Sequence, residues 1–141
     1  ASVKKSIKSL YPSVKYEEDH LLRKVKALLL KYFDGEMVCM DVPLEFPSAT
    51  PFQRKVWEGA RSIPYGHVKT YGWLGKKLLN PGASRAVGNA LSKNPLPLII
   101  PCHRVVRSDG KMGGFSLPGG TVLKRKLIDL EKKNKSLKSC N

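Results

Sequence analysis

Cys102 and His103 are adjacent in the segment Pro101-Cys102-His103-Arg104, and a thiol beside an imidazole can act as a nucleophile with its base. A free cysteine titrates near about 8.5, so it needs a base or positive surroundings to ionise at neutral pH. His103 can be that base, and Arg104 makes the neighbourhood cationic. Most isolated Cys-His neighbours are packing contacts, so the chemistry depends on the elements that position this pair.

The segments on either side of the pair indicate how it is held. The apolar run 96–100 before it and Val105-Val106 after it predict that a short apolar strand delivers the cysteine. The glycine-rich segment 110–120 follows, and it lacks the Gly-Lys-Ser/Thr ending of a phosphate-binding loop. We expect residues 113–120 to form a flexible wall of an apolar, adjustable pocket next to Cys102.

Three helices are predicted upstream of the cysteine. Thr50-Pro51-Phe52-Gln53 is a capping box with proline at the first helical position, and its helix runs to about Ser62. A second helix follows Thr70, and a third spans about 83–93, after the breaker Asn80-Pro81-Gly82. Two short helices around a tight turn that contains glycine are typical of a helix-turn-helix. The expected inward residues are Phe52, Val56 and Ala60, then Tyr71, Leu74 and Leu78, then Ala86, Val87, Ala90 and Leu91.

The third of these helices has an unusual outer face, which carries Arg85, Gly88, Asn89 and Ser92. Solvated helix faces mostly carry long charged side chains, but here only the arginine is long. A glycine within a helix costs about 1 kcal/mol relative to alanine. Gly88 therefore indicates either that another molecule approaches this face closely or that the face packs against another helix.

The rest of the chain predicts an α+β protein in two parts. Residues 17–33 read as a helix with acidic residues in its first turn, and residues 37–46 read as a strand. We place the boundary between a small N-terminal unit, 1–49, and a larger unit, 50–141. A last helix is predicted over about 121–133. Its residues near one face are Leu123, Leu127, Leu130 and Glu131.

The charge of the chain is concentrated in its second part. The net charge is +15 from 26 Lys and Arg against 11 Asp and Glu. Residues 1–50 hold 8 basic and 7 acidic residues, and residues 51–141 hold 18 and 4, so the two parts carry +1 and +14. A basic surface of this kind fits nucleic acid, because neutralised phosphates drive that affinity. A basic protein without such a partner is the alternative.

The cysteines and the hydropathy limit the class of protein. Cys39, Cys102 and Cys140 are odd in number and far apart, which predicts free thiols in a reducing compartment. There is no Cys-x-x-Cys pair, so we expect no metal site, and we expect no cofactor. The chain has no signal peptide and no apolar run of about eighteen residues. These absences predict a soluble protein that does not enter a membrane, and the free thiols predict a location in the cytoplasm or nucleus. We also expect the protein to be a monomer.

Residues 50–131 resemble the C-terminal domain of the O6-alkylguanine-DNA alkyltransferases, also called methylated-DNA–protein-cysteine methyltransferases. The matching segments, in order, are TPFQRKVW, IPYGHVKTYG, GASRAVGNALSKNP and IPCHRVV. The resemblance implies a suicide reaction, in which one alkyl group moves from guanine O6 in double-stranded DNA to a cysteine after the base is flipped out. It also implies an α+β fold, in which an N-terminal α/β subdomain precedes a mainly helical, winged-helix-like DNA-binding domain. In this chain residues 1–49 predict a helix and one strand, so we expect the N-terminal subdomain to be shortened.

The resemblance also implies roles for single residues. Cys102 corresponds to the alkyl acceptor, His103 to its base acting through a water, and Glu131 to the carboxylate that orients the imidazole. Tyr71 corresponds to the tyrosine that gives a proton or a hydrogen bond to guanine as O6 becomes the leaving oxygen. These roles are physically consistent, because a thiol, a base and an orienting carboxylate form a triad. A departing guanine anion also needs to be neutralised.

The remaining implied contacts concern DNA and the flipped base. Arg85 corresponds to the arginine that enters the base stack where the flipped nucleotide was, and its helix is placed in the minor groove. That groove is about 6 Å wide and a helix about 10–12 Å across, so small side chains and an opened groove are needed. Asn94 corresponds to a hinge that ties this helix to the cysteine turn. The other implied contact residues are Ala83, Ser84, Gly88, Val105 through its carbonyl, Phe115, and Ser116 through its backbone.

This chain departs from the family pattern at the expected guanine pocket, so the resemblance does not fix the size of that pocket. Phe115 replaces the usual tyrosine of the guanine pocket, and Leu117-Pro118 lengthens the spacing before the last helix. Relatives of the family that lack the cysteine only bind lesions, whereas Cys102 is present. The presence of Cys102 favours alkyl transfer, and the alternatives are a non-catalytic lesion-binding adaptor and a helix-turn-helix transcription factor.

Overall fold

The computed structural model describes residues 12–13 and 19–135, whose helices and small parallel sheet form an α+β fold. The helices are α1 His20–Phe33, α2 Pro51–Arg61, α3 Tyr71–Lys77, α4 Ser84–Ser92 and α5 Gly120–Asn134. A 3-10 helix, Cys102–Arg104, lies between α4 and α5. Strands β1, Lys69–Thr70, and β2, Val105–Val106, pair in parallel, with Lys69 opposite Val105.

Side chains that cap the first turns explain where three helices begin. Thr50 Oγ1 accepts from Gln53 N at 3.1 Å and Gln53 Oε1 accepts from Thr50 N at 2.9 Å, so the predicted capping box of α2 is confirmed. Thr70 Oγ1 caps α3 through a single bond, accepting from Trp73 N at 3.0 Å. The helix predicted over 17–33 begins at His20, because the Asp19 carboxylate accepts from a backbone N–H of the first turn. Residues 17 and 18 lie outside the described residues.

Helices α2, α3 and α4 pack together and build the larger hydrophobic core. Gly59 permits the close crossing of α2 and α3, since a Cβ there would lie 2.5 Å from Leu74 Cδ1. The indole Nε1 of Trp57 donates to Ala90 O at 2.9 Å and ties α2 to α4. The predicted inward residues of α4 are buried except Ala86, which is exposed because it lies at the edge of the buried face. Core residues of these helices include Val56, Ala60, Leu74, Val87, Ala90 and Leu91.

Residues 37–46 do not form the predicted strand, and no described residue between α1 and α2 belongs to a strand. Arg61 of α2 binds carbonyls that a neighbouring strand would otherwise occupy. Its Nη2 donates to Val42 O at 2.8 Å and to Met40 O at 3.3 Å. Val38 and Val42 are buried. The apolar pattern of residues 37–46 therefore indicated that the segment is buried, and not that it pairs in a sheet.

The apolar run 96–100 is not the predicted strand either. Pro97 and Pro101 have no N–H to give to a ladder, and Leu98 has a φ of +74°. The chain therefore turns before the cysteine, and Cys102 opens the 3-10 helix instead of ending a strand.

One prediction about the cysteines is wrong. Cys39 is disulfide-bonded, whereas Cys102 is a free thiol. Cysteine spacing in the sequence could not show this, because the fold decides which distant thiols approach each other. Cys140 lies outside the described residues.

Among the described helices, none combines the length and apolar character that crossing a bilayer requires.

Candidate active site

Cys102 lies at the wall of a cleft of about 870 Å³ between α3, α4 and the loop that follows β2. The 3-10 helix leaves its side chain 6% exposed, so the thiol is shielded and still reachable from the cleft. The lining residues from α3 and α4 are Tyr71, Gly72, Ser84, Arg85, Gly88, Leu91 and Ser92. The loop contributes Arg107, Ser108, Asp109, Gly113, Gly114, Phe115 and Ser116.

The environment of the thiol favours its neutral form. Burial raises the pKa of Cys102, and three influences oppose that rise: the Asn94 side chain, the Lys124 charge and nearby backbone N–H groups. The adjacent histidine was expected to make Cys102 an activated thiol. In the resting site the thiol keeps its proton, and a base must take that proton when the sulfur reacts.

His103 is placed to be that base. It is fully buried, and burial lowers its pKa, so the ring is neutral at neutral pH. Its Nε2 lies 2.6 Å from Glu131 Oε1. Since the ionised carboxylate can only accept, Nε2 carries the hydrogen and Nδ1 carries the lone pair. Nδ1 is buried and has no hydrogen-bond partner among the described residues, so its lone pair is available to accept a proton.

Glu131 is surrounded by donors. Oε2 accepts from Arg104 Nε at 2.9 Å and from Gly66 N at 3.0 Å. Oε1 accepts from His103, from Arg104 Nη2 at 3.0 Å and from the Tyr32 hydroxyl at 2.8 Å. Burial alone would raise the pKa of Glu131, but the hydrogen bond from His103 and the hydrogen bonds and charge of Arg104 lower it to about 2. The carboxylate is therefore ionised, and it fixes the orientation of the imidazole.

Tyr71 and Lys124 form a second polar pair near the sulfur. Lys124 Nζ donates to Tyr71 Oη at 3.4 Å and to Gly114 O at 3.2 Å. Burial lowers the pKa of Lys124 to about 8, and burial together with Cys102 raises the pKa of Tyr71. Gly113 allows this arrangement, because its φ is +73° and a Cβ there would lie 2.5 Å from Tyr71 Oη. The tyrosine hydroxyl is thus held in place between α5 and the loop.

Asn94 connects α4 to the segment that leads to the cysteine. Its Nδ2 donates to Ile100 O at 2.9 Å, and its Oδ1 accepts from Leu96 N at 2.9 Å. The side chain is buried, so both bonds are shielded from water. Two backbone groups of the irregular segment 96–101 are satisfied in this way, and the turn before Cys102 is fixed relative to α4.

The exposed face of α4 opens on the cleft. Ser84, Arg85 and Ser92 are exposed, and Ala83 precedes the helix without a side-chain cap. A Cβ at Gly88 would meet the Tyr71 ring at 3.8 Å, an ordinary contact. No contact with the described part of the chain therefore requires glycine at position 88.

The sequence-based site residues do not all meet in the cleft. His103 and Glu131 lie behind the cysteine, and Asn94 and Val105 are buried outside the lining. Residues 117–120 also lie outside it, so the prediction that the whole segment 113–120 forms a wall is wrong. The wall ends at residue 116 because the chain then enters the turn before α5.

Sequence reasoning missed three side chains of this site. Arg104 was read only as a local charge, and Tyr32 only as part of the helix predicted over 17–33. Lys124 had a detectable signal, because it shares the helical spacing of Leu127 and Glu131, which places it on the buried face.

Among the described residues, no cluster of three His, Cys, Asp or Glu side chains could hold a metal ion.

Comparison with known proteins relates this chain to one family. Residues 51–133 match the family model of the "6-O-methylguanine DNA methyltransferase, DNA binding domain". The methylated-DNA–protein-cysteine methyltransferase of Haemophilus influenzae is 43% identical over 119 residues, which are 84% of this chain and 65% of that protein. The protein of the same name from Methanosarcina acetivorans is 43% identical over 82% of this chain and 72% of its own length.

A solved structure shows the same fold. The crystal structure of Mycobacterium tuberculosis OGT in complex with DNA superposes with a TM-score of 0.75 at 41% sequence identity. The match covers 80% of this chain and 68% of that one. The chain thus spans about two thirds of the length of these relatives.

Proposed function

The chain belongs to the family of the 6-O-methylguanine DNA methyltransferase DNA-binding domain, and on this premise we propose that it repairs alkylated DNA. It transfers the alkyl group of O6-alkylguanine in double-stranded DNA to Cys102, once per protein molecule. The observation that carries this proposal is a free, shielded thiol on a cleft, backed by the buried His103–Glu131 pair. The relatives that match most of the chain carry the name of this activity.

The reaction proposed is a displacement at the alkyl carbon. Cys102 Sγ forms a bond to that carbon as the carbon–O6 bond breaks, and the thiol proton passes through a water to His103 Nδ1. Guanine leaves as an anion and takes a proton from the Tyr71 hydroxyl. Lys124 Nζ donates to that hydroxyl. The product is a thioether, which offers no leaving group to water, so each protein molecule reacts once.

The proposed DNA interface is the exposed face of α4. Arg85 enters the base stack in place of the flipped nucleotide, while Ala83, Ser84 and Gly88 keep the face small enough for a minor groove. The exposure of Arg85 and Ser84 at the cleft supports this role. The charge of +14 over residues 51–141 supplies the attraction to phosphates.

The flipped guanine is proposed to lie between Tyr71 and the loop. Phe115 and Ser116 line the cleft beside Cys102, which supports their assignment to the base pocket. Val105 is buried and does not line the cleft, and its backbone carbonyl is proposed to accept a hydrogen bond from the edge of the base. Asn94 is proposed to hold the recognition helix and the cysteine turn in register through its two backbone bonds.

The finer organisation is also proposed. We place the domain boundary at residues 49 and 50, supported by the start of the family match at residue 51. A shortened N-terminal subdomain would then precede a winged-helix-like domain, and the protein would act as a monomer. A location in the cytoplasm or nucleus follows from the proposed DNA substrate, since the disulfide at Cys39 removes the argument from free thiols.

Intact-mass analysis after incubation with duplex DNA containing labelled O6-methylguanine tests the proposal. We expect one methyl group per protein molecule, located at Cys102 by peptide mapping. The control Cys102→Ala should take up no label and should still bind DNA. Repeated turnover, or label at any other residue, would contradict the mechanism. Lesion binding without label would support the adaptor, and preference for one undamaged sequence would support a transcription factor.

A further inference from the structure

Tyr32, on α1, reaches the His103–Glu131 pair from the N-terminal part of the chain. Its hydroxyl donates to Glu131 Oε1 at 2.8 Å, and its side chain is only 2% exposed. Its ring also meets the imidazole edge-on, with 6.5 Å between centroids. The hydroxyl lies 3.5 Å from His103 Nε2, too far to replace the bond between His103 and Glu131.

The bond of Tyr32 is made to the same oxygen that holds the imidazole. Oε1 accepts from His103 at 2.6 Å, from Tyr32 at 2.8 Å and from Arg104 at 3.0 Å. A carboxylate oxygen that already accepts from other donors is a weaker acceptor for an imidazolium N–H. The tyrosine hydroxyl therefore reduces the stabilisation that Glu131 gives to protonated His103.

The Tyr32 hydroxyl keeps its hydrogen bond to Glu131 over the pH range in which His103 titrates. A single substitution can remove this bond without removing any other. Burial and the neighbouring Glu131 raise the pKa of Tyr32, so the hydroxyl remains a donor. Arg104 is different, since it also binds Oε2 and Ile63 O and anchors the fold. The titratable and charged groups around His103 are Tyr32 from α1, Cys102 and Arg104 from the 3-10 helix, and Lys124 and Glu131 from α5. Tyr65, from the turn before β1, packs edge-on against Tyr32.

We propose that Tyr32 is a positioning residue that limits the basicity of His103 through Glu131 and so sets the lower pH limit of the reaction at Cys102. The inference rests on the proposed alkyl transfer. Helix α1 lies outside residues 51–133, the part matched by the family model. The N-terminal part of the chain thus contributes directly to the chemistry of the site.

Two variants that each lose one hydroxyl separate this role from packing. Tyr32→Phe removes the bond to Glu131 and keeps the ring. Tyr65→Phe is the matched control, because its hydroxyl is also buried and bonds to neither Glu131 nor His103. NMR titration of the His103 imidazole should give a pKa higher by up to about one unit in Tyr32→Phe and unchanged in Tyr65→Phe.

The rate of reaction with free O6-benzylguanine should follow the same shift. His103 accepts a proton only when neutral, so the acid limb of the pH–rate profile should move upward by the same amount in Tyr32→Phe. At pH 6 the rate should fall several-fold, while at pH 8 it should equal or exceed that of the wild type. A loss that is uniform over pH, or an equal shift in Tyr65→Phe, would overturn the proposal.

The two readouts distinguish failure of this inference from failure of the proposed function. If the wild type takes up no alkyl group, the function is wrong, and the NMR titration still decides whether Tyr32 controls His103. A measurement on the wild type alone covers the case in which Tyr32→Phe does not fold. The Tyr32 hydroxyl proton should shift as His103 titrates, and an unchanged resonance would overturn the proposal.

Discussion

Replacing Glu131 by glutamine should destabilise the protein strongly, because it removes the charge and keeps the shape. The amide cannot accept at both positions, so Arg104 loses its bidentate partner inside the protein. Removing one partner of a buried ion pair typically costs about 3–5 kcal/mol. The pKa of Glu131 gives a similar figure: it lies at about 2 instead of 4.5, and that difference corresponds to about 3 kcal/mol.

The sign of the pH dependence is fixed by the direction of this shift. The folded-state pKa of Glu131 is depressed, so its contribution to the free energy of unfolding is complete above about pH 4.5 and is lost as the pH falls towards 2. The difference between the wild type and Glu131→Gln should therefore be about 3 kcal/mol at pH 7. It should become smaller at pH 3.

Urea unfolding followed by circular dichroism at pH 7 and pH 3 measures this difference. Asp109→Asn is the matched control, because Asp109 also pairs with an arginine, Arg107, but both side chains are exposed. The control should unfold nearly as the wild type does. A difference below about 1 kcal/mol for Glu131→Gln, or one that stays the same at both pH values, would refute the reasoning.

Further outcomes follow from the cleft and the charge. Arg85→Ala should slow repair of duplex DNA by about one to three orders of magnitude more than reaction with free O6-benzylguanine, because unstacking is worth a few kcal/mol; equal losses would assign Arg85 to the fold. Binding of undamaged duplex should fall steeply with salt and ignore sequence, and a flat salt response would contradict the phosphate contacts. Of Phe115 and Leu117, only Phe115 lines the cleft. Phe115→Ala should therefore alter the ratio of methyl to benzyl transfer rates and Leu117→Ala should not; competition between O6-methylguanine and O6-benzylguanine measures this ratio. Gly113→Ala should lower the melting temperature and slow transfer by displacing Tyr71, whose hydroxyl would lie 2.5 Å from the new Cβ; an unchanged rate would contradict this placement of the tyrosine.

The helices around the site were predictable because their signals are local. Thr50 and Gln53 cap α2 across three residues, and Thr70 caps α3 by accepting from the backbone N–H of Trp73, also three residues on. The apolar spacing of α4 predicted the burial of Val87 and Leu91. Capping and helical periodicity act within one or two turns, so the neighbouring sequence determines them.

The two predicted strands failed for the opposite reason. An apolar run indicates that a segment is buried. A strand also needs a neighbouring segment whose backbone N–H and C=O groups are free and at hydrogen-bonding distance. Around residues 37–46 part of that role is taken by the guanidinium of Arg61, and at 96–100 prolines prevent a ladder. Which partner is available is a property of the packed fold.

By itself, the sequence determined that a thiol, Cys102, lies next to an imidazole, His103, and it determined the helices around them and the concentration of positive charge. Only the tertiary structure decided what those groups experience. Glu131 is bonded by Tyr32, 99 positions away, and by Gly66, 65 positions away. The raised pKa of Cys102 and the lowered pKa of Lys124 both come first from burial. Burial and long-range hydrogen bonds arise from the simultaneous packing of distant segments, and no local pattern encodes them.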